Sequence, residues 1–394
     1  MKIAFWISLF LVFYTFAGYG LLLYFIVRMQ RLFIQKKTKT APIDHPTLTL
    51  IIAAYNEADI IAEKIANCRA LNYPKDRLRI LFVSDGSTDG TGQIIQQHAG
   101  IDLLHSAERR GKIHAIHRAM KTVTSEIVVF TDANTLLNEE ALELMARHYK
   151  NPKVGAVSGE KRVAVDVVSD ATAGEGFYWK YESALKKWDA ALSTLVGAAG
   201  ELFSIRTALY QPVPEDTVLD DFMISMRISE QGYQVAYEPE AFASETASAN
   251  IKEEWKRKVR IAAGGIQSIS RLPGLWNLFR HPLLTFQYIS HRVLRWTITP
   301  FLLLTAFVLN AVIAGQGGGW IYQILLALQV LFYAMAFTGQ LLALRQLKVK
   351  LFFIPYYFCL MNAAVIAGIY RYCISNNKQS VLWEKAARKS LVVR

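Results

Sequence analysis

The residues best suited to chemistry stand at the end of an apolar run. Glu126-Ile127-Val128-Val129-Phe130 passes directly into Thr131-Asp132-Ala133-Asn134. Apolar, mostly β-branched residues in succession read as a strand buried on both faces, the kind found in parallel sheets. A carboxylate and an amide at its carboxyl end fall where open α/β sheets place their ligands. A strand running through both Asp132 and Asn134 would aim the two side chains the same way. Hard oxygen donors there suit Mg²⁺ or Mn²⁺, which would join protein carboxylate to substrate phosphate. A strand ending in an Asx turn would show the same residues. The assignment therefore depends on what accompanies it.

Several polar clusters do. Asp85-Gly86-Ser87-Thr88-Asp89-Gly90 has glycines for a tight turn and acids able to bond nucleoside hydroxyls; a plain turn with Asp89 capping the next helix fits as well. Arg109, Arg110 and Lys112 stand near a helix start, where the dipole disfavours cations. An anionic ligand accounts for them better than a solvated basic loop does. Asp220-Asp221 precedes a helical stretch, and a helix that merely begins with acids would look alike. Asn56-Glu57 follows a strand and could simply cap the next helix. His114 and His117, at i and i+3, lack a third partner, so no metal site is expected of them.

The elements that must position these groups alternate regularly. Strands are expected at Leu48–Ala53, Leu78–Val83 and Ile101–Leu104, then the strand ending at Phe130. Helices are expected from Asp59 to Ala70, from Thr91 to about His98, and from Lys112 to Lys121. This βαβα rhythm predicts a parallel sheet covered by helices. Each polar loop follows a strand, so all of them meet at one edge of the sheet. Beyond Val154 the pattern loosens, with strand character to Val165 and a helix from Glu175 to Asp189.

Four motifs in this order resemble the family 2 glycosyltransferases, with their GT-A nucleotide-sugar fold. They are Ala53-Ala54-Tyr55-Asn56-Glu57, the Asp-Gly-Ser-Thr-Asp-Gly-Thr loop from Asp85, the Arg-Gly-Lys helix start and Thr131-Asp132-Ala133-Asn134. The branch most similar is that of the membrane-embedded synthases of cellulose, chitin, hyaluronan and poly-N-acetylglucosamine. The resemblance implies that Ala53, Tyr55, Glu57 and Asp85 hold the nucleoside, usually uridine. It implies that Lys112 lies near the pyrophosphate and Asp132 at a metal–diphosphate site with Mg²⁺ or Mn²⁺. Where the family has Asp-x-Asp, this chain has Asn134 as the second ligand, which adds no charge. Leu219-Asp220-Asp221-Phe222 matches the family's acidic pair. Asp221 is thereby implied as general base and Asp220 as its orienting partner. Gly197-Ala198-Ala199-Gly200-Glu201 resembles the acceptor-side segment, where small residues permit either a sugar or tight packing. At the family's Gln-x-x-Arg-Trp motif this chain has Arg257, Arg260 and Ile261. Arg260 is retained as an expected diphosphate contact, while the lost tryptophan weakens the case for a long polymer.

Composition sets the surroundings. Residues Ile3–Val27 form an uncharged run long enough to span a bilayer, followed by Arg28, Arg31, Lys36, Lys37 and Lys39. Apolar runs recur at Val293–Ala314, Trp320–Leu344 and Leu351–Ile374. The positive-inside rule then places the middle of the chain in the cytosol, at the cell inner (cytoplasmic) membrane. Arg345, Lys348 and Lys350 agree; the basic tail, sent outward by three spans, does not. The expected divisions are a transmembrane helix at 1–28, a GT-A domain at 45–250, amphipathic interfacial helices at 251–292, transmembrane helices at 293–374, and the tail at 375–394. A formal charge of +12 suits anionic lipid or a phosphorylated ligand. No zinc-finger spacing or base-stacking module accompanies it, so nucleic acid is not an expected partner. Cys68, Cys359 and Cys373 have neither disulfide nor zinc spacing.

The function expected is inverting transfer of a sugar, from a UDP-sugar, to a saccharide or lipid-linked acceptor. A membrane-anchored nucleotide-sugar-binding regulator without turnover is the alternative. The intact acids argue against it. Four spans enclose at most a minimal channel, so polymer export would need a homo-oligomer or an export partner.

Overall fold

A computed structural model describes residues 1–33, 45–164, 173–246, 251–345, 347 and 349–374. Eight strands form a single sheet in the order β3-β2-β1-β4-β7-β6-β8-β5. They are β1 (Leu48–Ala54), β2 (Leu78–Asp85), β3 (Asp102–Ser106), β4 (Ile127–Asp132), β5 (Leu136–Leu137), β6 (Val154–Ala164), β7 (Leu202–Arg206) and β8 (Gln234–Thr246). The strands β3-β2-β1-β4 are parallel, as the alternation predicts. Beyond β4 the sheet turns mixed, because β7 runs antiparallel to both β4 and β6, and β5 runs antiparallel to β8. Strand β6 pairs parallel with β8 across two register shifts.

The helices on this sheet are α2 (Ala58–Arg69), α3 (Thr91–Gln96), α4 (Lys112–Met120), α5 (Ala141–His148), α6 (Ala173–Leu192) and α7 (Asp220–Glu230). Period-two alternation divides the core between the two faces. Ile51, Val128 and Phe130 face a cluster with Ile113 and Ile116 of α4 and Met223 and Met226 of α7. Leu50, Ile52, Ile127 and Val129 face the other side, against Ile61 and Ile65 of α2 and Met145 of α5. Each such fully buried side chain contributes roughly 1.5–3 kcal/mol. The strand tips are thus held rigidly, and the polar loops after them share one edge.

A membrane-type layer adjoins this domain. Helix α1 (Lys2–Phe33), helix α11 (Trp320–Leu344) and helix α12 (Lys350–Ile374) are each long and apolar enough to cross a bilayer. Between them and the sheet lie α8 (Ile251–Arg271) and α9 (Pro282–Trp296), while α10 (Thr299–Gly315) packs against α1 and α11 through Ala306 and Ile313. The apolar run Val293–Ala314 is not one straight span. It belongs to α9 and α10, which meet at a bend of 61°. Pro300 stands in the first turn of α10, where its missing N–H prevents the helix from extending backward intact. Within the stretch 251–292, the segment 266–292 does not form a separate unit. Its start continues α8 through Arg271, and the kinks fall only after Leu272. Helix α12 lies along α8, and a Cβ at Gly368 would collide with Ala262. Lys348 and the basic tail lie outside the described residues.

Candidate active site

The site grows from the carboxyl ends of β1, β2 and β4. Ala53, Tyr55, Glu57, Asp85, Lys112, Asp132 and Asn134 line one cleft there, together with Arg109 and Gly111. Strand β4 stops at Asp132, and Ala133-Asn134 is a turn rather than more strand. The simple alternation argument therefore fails for Asn134. Thr135 closes this turn, its Oγ1 donating to the Asp132 carbonyl at 3.0 Å. Beneath it lies Lys64, fully buried, whose Nζ donates to the Thr135 carbonyl at 2.7 Å. Nothing in the sequence of α2 marks Lys64 as different from a solvent-facing lysine.

The loop after β2 is stitched to the loop after β1. Asn56 Oδ1 accepts from the Thr88 amide at 2.9 Å, and Asp89 accepts from the Ala58 amide at 2.9 Å and the Thr91 amide at 3.0 Å. Asp89 thus ties together the starts of α2 and α3, close to its capping alternative. Asn56 adopts a left-handed φ of 51°, a conformation asparagine tolerates better than most residues. At Gly86, φ is 71° and a Cβ would lie 2.8 Å from the Arg109 backbone nitrogen, so glycine is required. Arg109 lies over the Tyr55 ring, 3.9 Å from its centroid. Asp85 accepts the backbone N–H of Arg110 at 3.1 Å and of Gly111 at 2.6 Å. Its carboxylate fixes the entry to α4 while lining the cleft.

Lys112, the first residue of α4, donates to Asp132 at 2.9 Å and lies 3.3 Å from Asp220 Oδ2. Burial works against its charge, but Asp132, Asp220 and Asp221 outweigh it and hold the amine well above its ordinary range. The cation placed against the helix dipole is thus balanced by protein carboxylates. Helix α7 supplies two of these. Asp220 is buried, and Asp221 is pushed up to about 7 by burial and by the charge of Asp220. A carboxyl poised there can take a proton near neutral pH. Gly200 approaches it closely, since a Cβ would lie 2.9 Å from Asp221 Oδ2.

Glu201 and Arg257 enter a second polar cluster. Lys161 on β6 pairs with Glu201 at 2.5 Å and with Glu245 on β8. Arg257 reaches Glu245 at 3.7 Å and Glu254 at 3.1 Å. Burial would raise the Glu201 carboxyl, but Lys161 holds it down at about 2. Lys258 faces inward, and burial beside Arg257 brings it down to about 8. The start of the stretch expected as amphipathic interfacial helices therefore packs in part against the α/β domain. The adjacent charges Glu160-Lys161, following the apolar start of β6, were the signal for this cluster. Arg260 is half-buried on α8 and does not line the nucleotide cleft.

Among the described residues, no group of three His, Cys, Asp or Glu side chains is placed to hold a metal by itself. One carboxylate and one amide at the cleft fit a hard divalent ion that takes its remaining ligands from a diphosphate and water. Asp132 and Asn134 would be its protein ligands.

A sheet of this topology with polar loops gathered at the β1–β2–β4 edge defines a GT-A-like α/β domain. Residues 49–210 match the family model Glycosyl transferase family 2, and this segment is a domain of that family. Poly-beta-1,6-N-acetyl-D-glucosamine synthase of Staphylococcus aureus (strain MSSA476) is 26% identical over 263 residues, which are 64% of this chain and 62% of that protein. The synthase of Staphylococcus epidermidis is 26% identical over 234 residues, 57% of this chain and 56% of the relative. The chain thus spans less than two thirds of the curated relatives it matches. Among solved structures, the mannosyltransferase PcManGT from Pyrobaculum calidifontis, in complex with GDP-Man and Mn²⁺, superposes with a TM-score of 0.68 at 26% identity. That match covers 95% of this chain and 100% of the other.

Proposed function

We propose that this protein is an inverting membrane glycosyltransferase that moves a sugar from a nucleoside-diphosphate donor to a saccharide or lipid-linked acceptor. The observation that carries this reading is the start of α7. It brings Asp220 to 3.3 Å from Lys112 and sets the adjacent Asp221 within reach of the Lys112 charge, while Lys112 and Asp132 line one cleft with Tyr55, Glu57 and Asp85. The nucleoside lies against Ala53, Tyr55, Glu57 and Asp85, and the diphosphate meets Lys112. A bound Mg²⁺ or Mn²⁺ supplies charge neutralisation to the leaving diphosphate. Asp221 takes the proton of an acceptor hydroxyl as that oxygen bonds to the anomeric carbon. The bond from that carbon to the diphosphate oxygen breaks, and the nucleoside diphosphate leaves with the electron pair. Attack opposite the leaving group inverts the anomeric centre. Asp220 keeps Lys112 turned toward the diphosphate.

The resemblance of the motifs favours a UDP-sugar. The mannosyltransferase matched along almost the whole chain, solved in complex with GDP-Man, makes GDP-mannose the second donor to test. The sheet faces the cytosol at the inner membrane, where nucleotide sugars are available, with Arg28 and Arg31 at the end of α1 on that side. Membranes carrying the protein are incubated with radiolabelled UDP-sugars and GDP-mannose plus Mg²⁺ or Mn²⁺, beside Asp221→Asn. One sugar should give product that disappears in the variant and on chelation, and its size reports single transfer or polymer. Turnover that persists in Asp221→Asn would refute the assignment of the base.

A further inference from the structure

Polar groups that the transfer reaction leaves unused gather where the catalytic domain meets the membrane helices. Glu182 and Asp189 of α6 are buried there. Helix α9 reaches both. His291 lies 2.5 Å from Asp189 through Nδ1 and 3.2 Å from Glu182 through Nε2. Arg292 and Arg295 donate to Glu182 at 3.0 and 2.9 Å, and Gln287 donates to Asp189 at 3.1 Å. Tyr19 of α1 donates to Asp189 from the other side. Buried carboxylates are tolerated only with such partners, so this cluster fixes where α9 sits.

The same helix reaches the residue next to the proposed base. Phe222, the neighbour of Asp221, has Trp296 edge-on at 5.2 Å and Tyr288 stacked at 6.4 Å. Arg292 joins the two halves of the arrangement. Its Nε donates to the Val196 carbonyl at 3.2 Å, and its guanidinium lies 5.7 Å from the Trp296 ring centroid. The segment after Val196 is bonded to the first turn of α7. The Ala198 amide donates to Ser225 Oγ at 3.0 Å, and that hydroxyl donates to the Asp221 carbonyl at 2.7 Å.

We propose that Arg292 and Trp296 are positioning residues for Asp221. They carry the seating of α9, where the chain turns toward the membrane, to the first turn of α7 and so to the direction of the carboxylate. The inference rests on Asp221 acting as the base. Neither residue lines the nucleotide cleft, so their loss changes turnover and leaves nucleotide binding alone. A misplacement of about 1 Å at a reacting group costs on the order of a hundredfold.

The test uses the full-length protein in lipid nanodiscs, with Trp296→Ala, Trp296→Phe and Arg292→Lys. Binding of UDP and of GDP, each with Mn²⁺, is measured by calorimetry, and kcat and donor KM with the sugar that the wild type turns over. Trp296→Ala is expected to lower kcat by about ten- to a hundredfold with donor KM and nucleotide Kd unchanged. Trp296→Phe keeps a ring against Phe222 and should recover most of it. Arg292→Lys keeps a cation for Glu182 but loses the planar donor to Val196, and should fall between them. Unchanged kcat in Trp296→Ala and Arg292→Lys overturns the inference, and so does a parallel loss of nucleotide binding, which would mean general collapse. Full turnover by Asp221→Asn, or none by the wild type, instead removes the reading on which the inference rests, and the inference with it.

Discussion

Replacing Asp221 by asparagine should abolish turnover and, above neutral pH, make the protein more stable. Burial and the adjacent Asp220 charge raise this carboxyl from 3.8 to about 7. A carboxyl whose pKa is higher folded than unfolded binds its proton more tightly in the folded state. Its stabilising contribution is complete below pH 3.8 and is lost as pH rises through about 7. The full shift corresponds to about 4 kcal/mol. Asp221 also helps to hold the Lys112 charge, so part of this is given back. Lys112 keeps Asp132 at 2.9 Å and Asp220 at 3.3 Å. A net gain of about 2–4 kcal/mol is expected for the variant near pH 8, shrinking toward zero near pH 4. Thermal unfolding of wild type and Asp221→Asn in the same detergent, scanned from pH 4 to 8, measures the difference. In the wild type, kcat/KM should rise about tenfold between pH 6 and pH 8 as the base ionises. A stability difference that does not grow with pH would refute the reasoning. So would an acid limb centred near pH 4, since the carboxyl would then not feel its surroundings as described.

Lys112→Met should weaken nucleotide diphosphate binding by roughly ten- to a hundredfold, the loss of one charge-assisted contact, as read by calorimetry with UDP or GDP. Asp132→Asn should remove the Mn²⁺ dependence of that binding while leaving weak metal-free binding in place. Lys161→Met removes the cation in contact with both Glu201 and Glu245, leaving Arg257 at 3.7 Å from Glu245. A stability loss of about 3–5 kcal/mol is expected in chemical unfolding, and Glu201 should titrate well above its present value of about 2. Gly200→Ala places a methyl 2.9 Å from Asp221 Oδ2. Turnover should fall with nucleotide affinity kept, and equal turnover would show that the carboxylate has room to move.

The half of the candidate site at the β1, β2 and β4 edge was legible in the sequence because each part follows its own strand. Apolar runs of β-branched residues fix β1, β2 and β4, and the parallel pairing brings their carboxyl ends to one edge whatever the details of packing. Tyr55, Glu57, Asp85, Lys112 and Asp132 meet there for that reason. The strands after Val154 carried less information, since β7 and β8 join the sheet across long intervals and in mixed directions. Asn134 shows the limit at short range. Two residues of spacing suggested one strand face, but a turn beginning after Asp132 brings it to the cleft instead.

The sequence by itself determined the α/β rhythm, the nucleotide edge and the apolar lengths of α11 and α12, because these follow from local periodicity and from the thickness of a bilayer. Tertiary structure alone decided which charges became buried partners. Arg257 occupies a stretch whose composition suits a membrane surface, yet it reaches Glu245 of β8, and its neighbour Lys258 is buried. Glu182 and His291 are 109 residues apart and meet only because α9 folds back onto α6. The perturbed carboxyl of Asp221 arises in the same way. A carboxylate in a chain has an ordinary affinity for its proton, and only exclusion of water and the enforced nearness of Asp220 can change it.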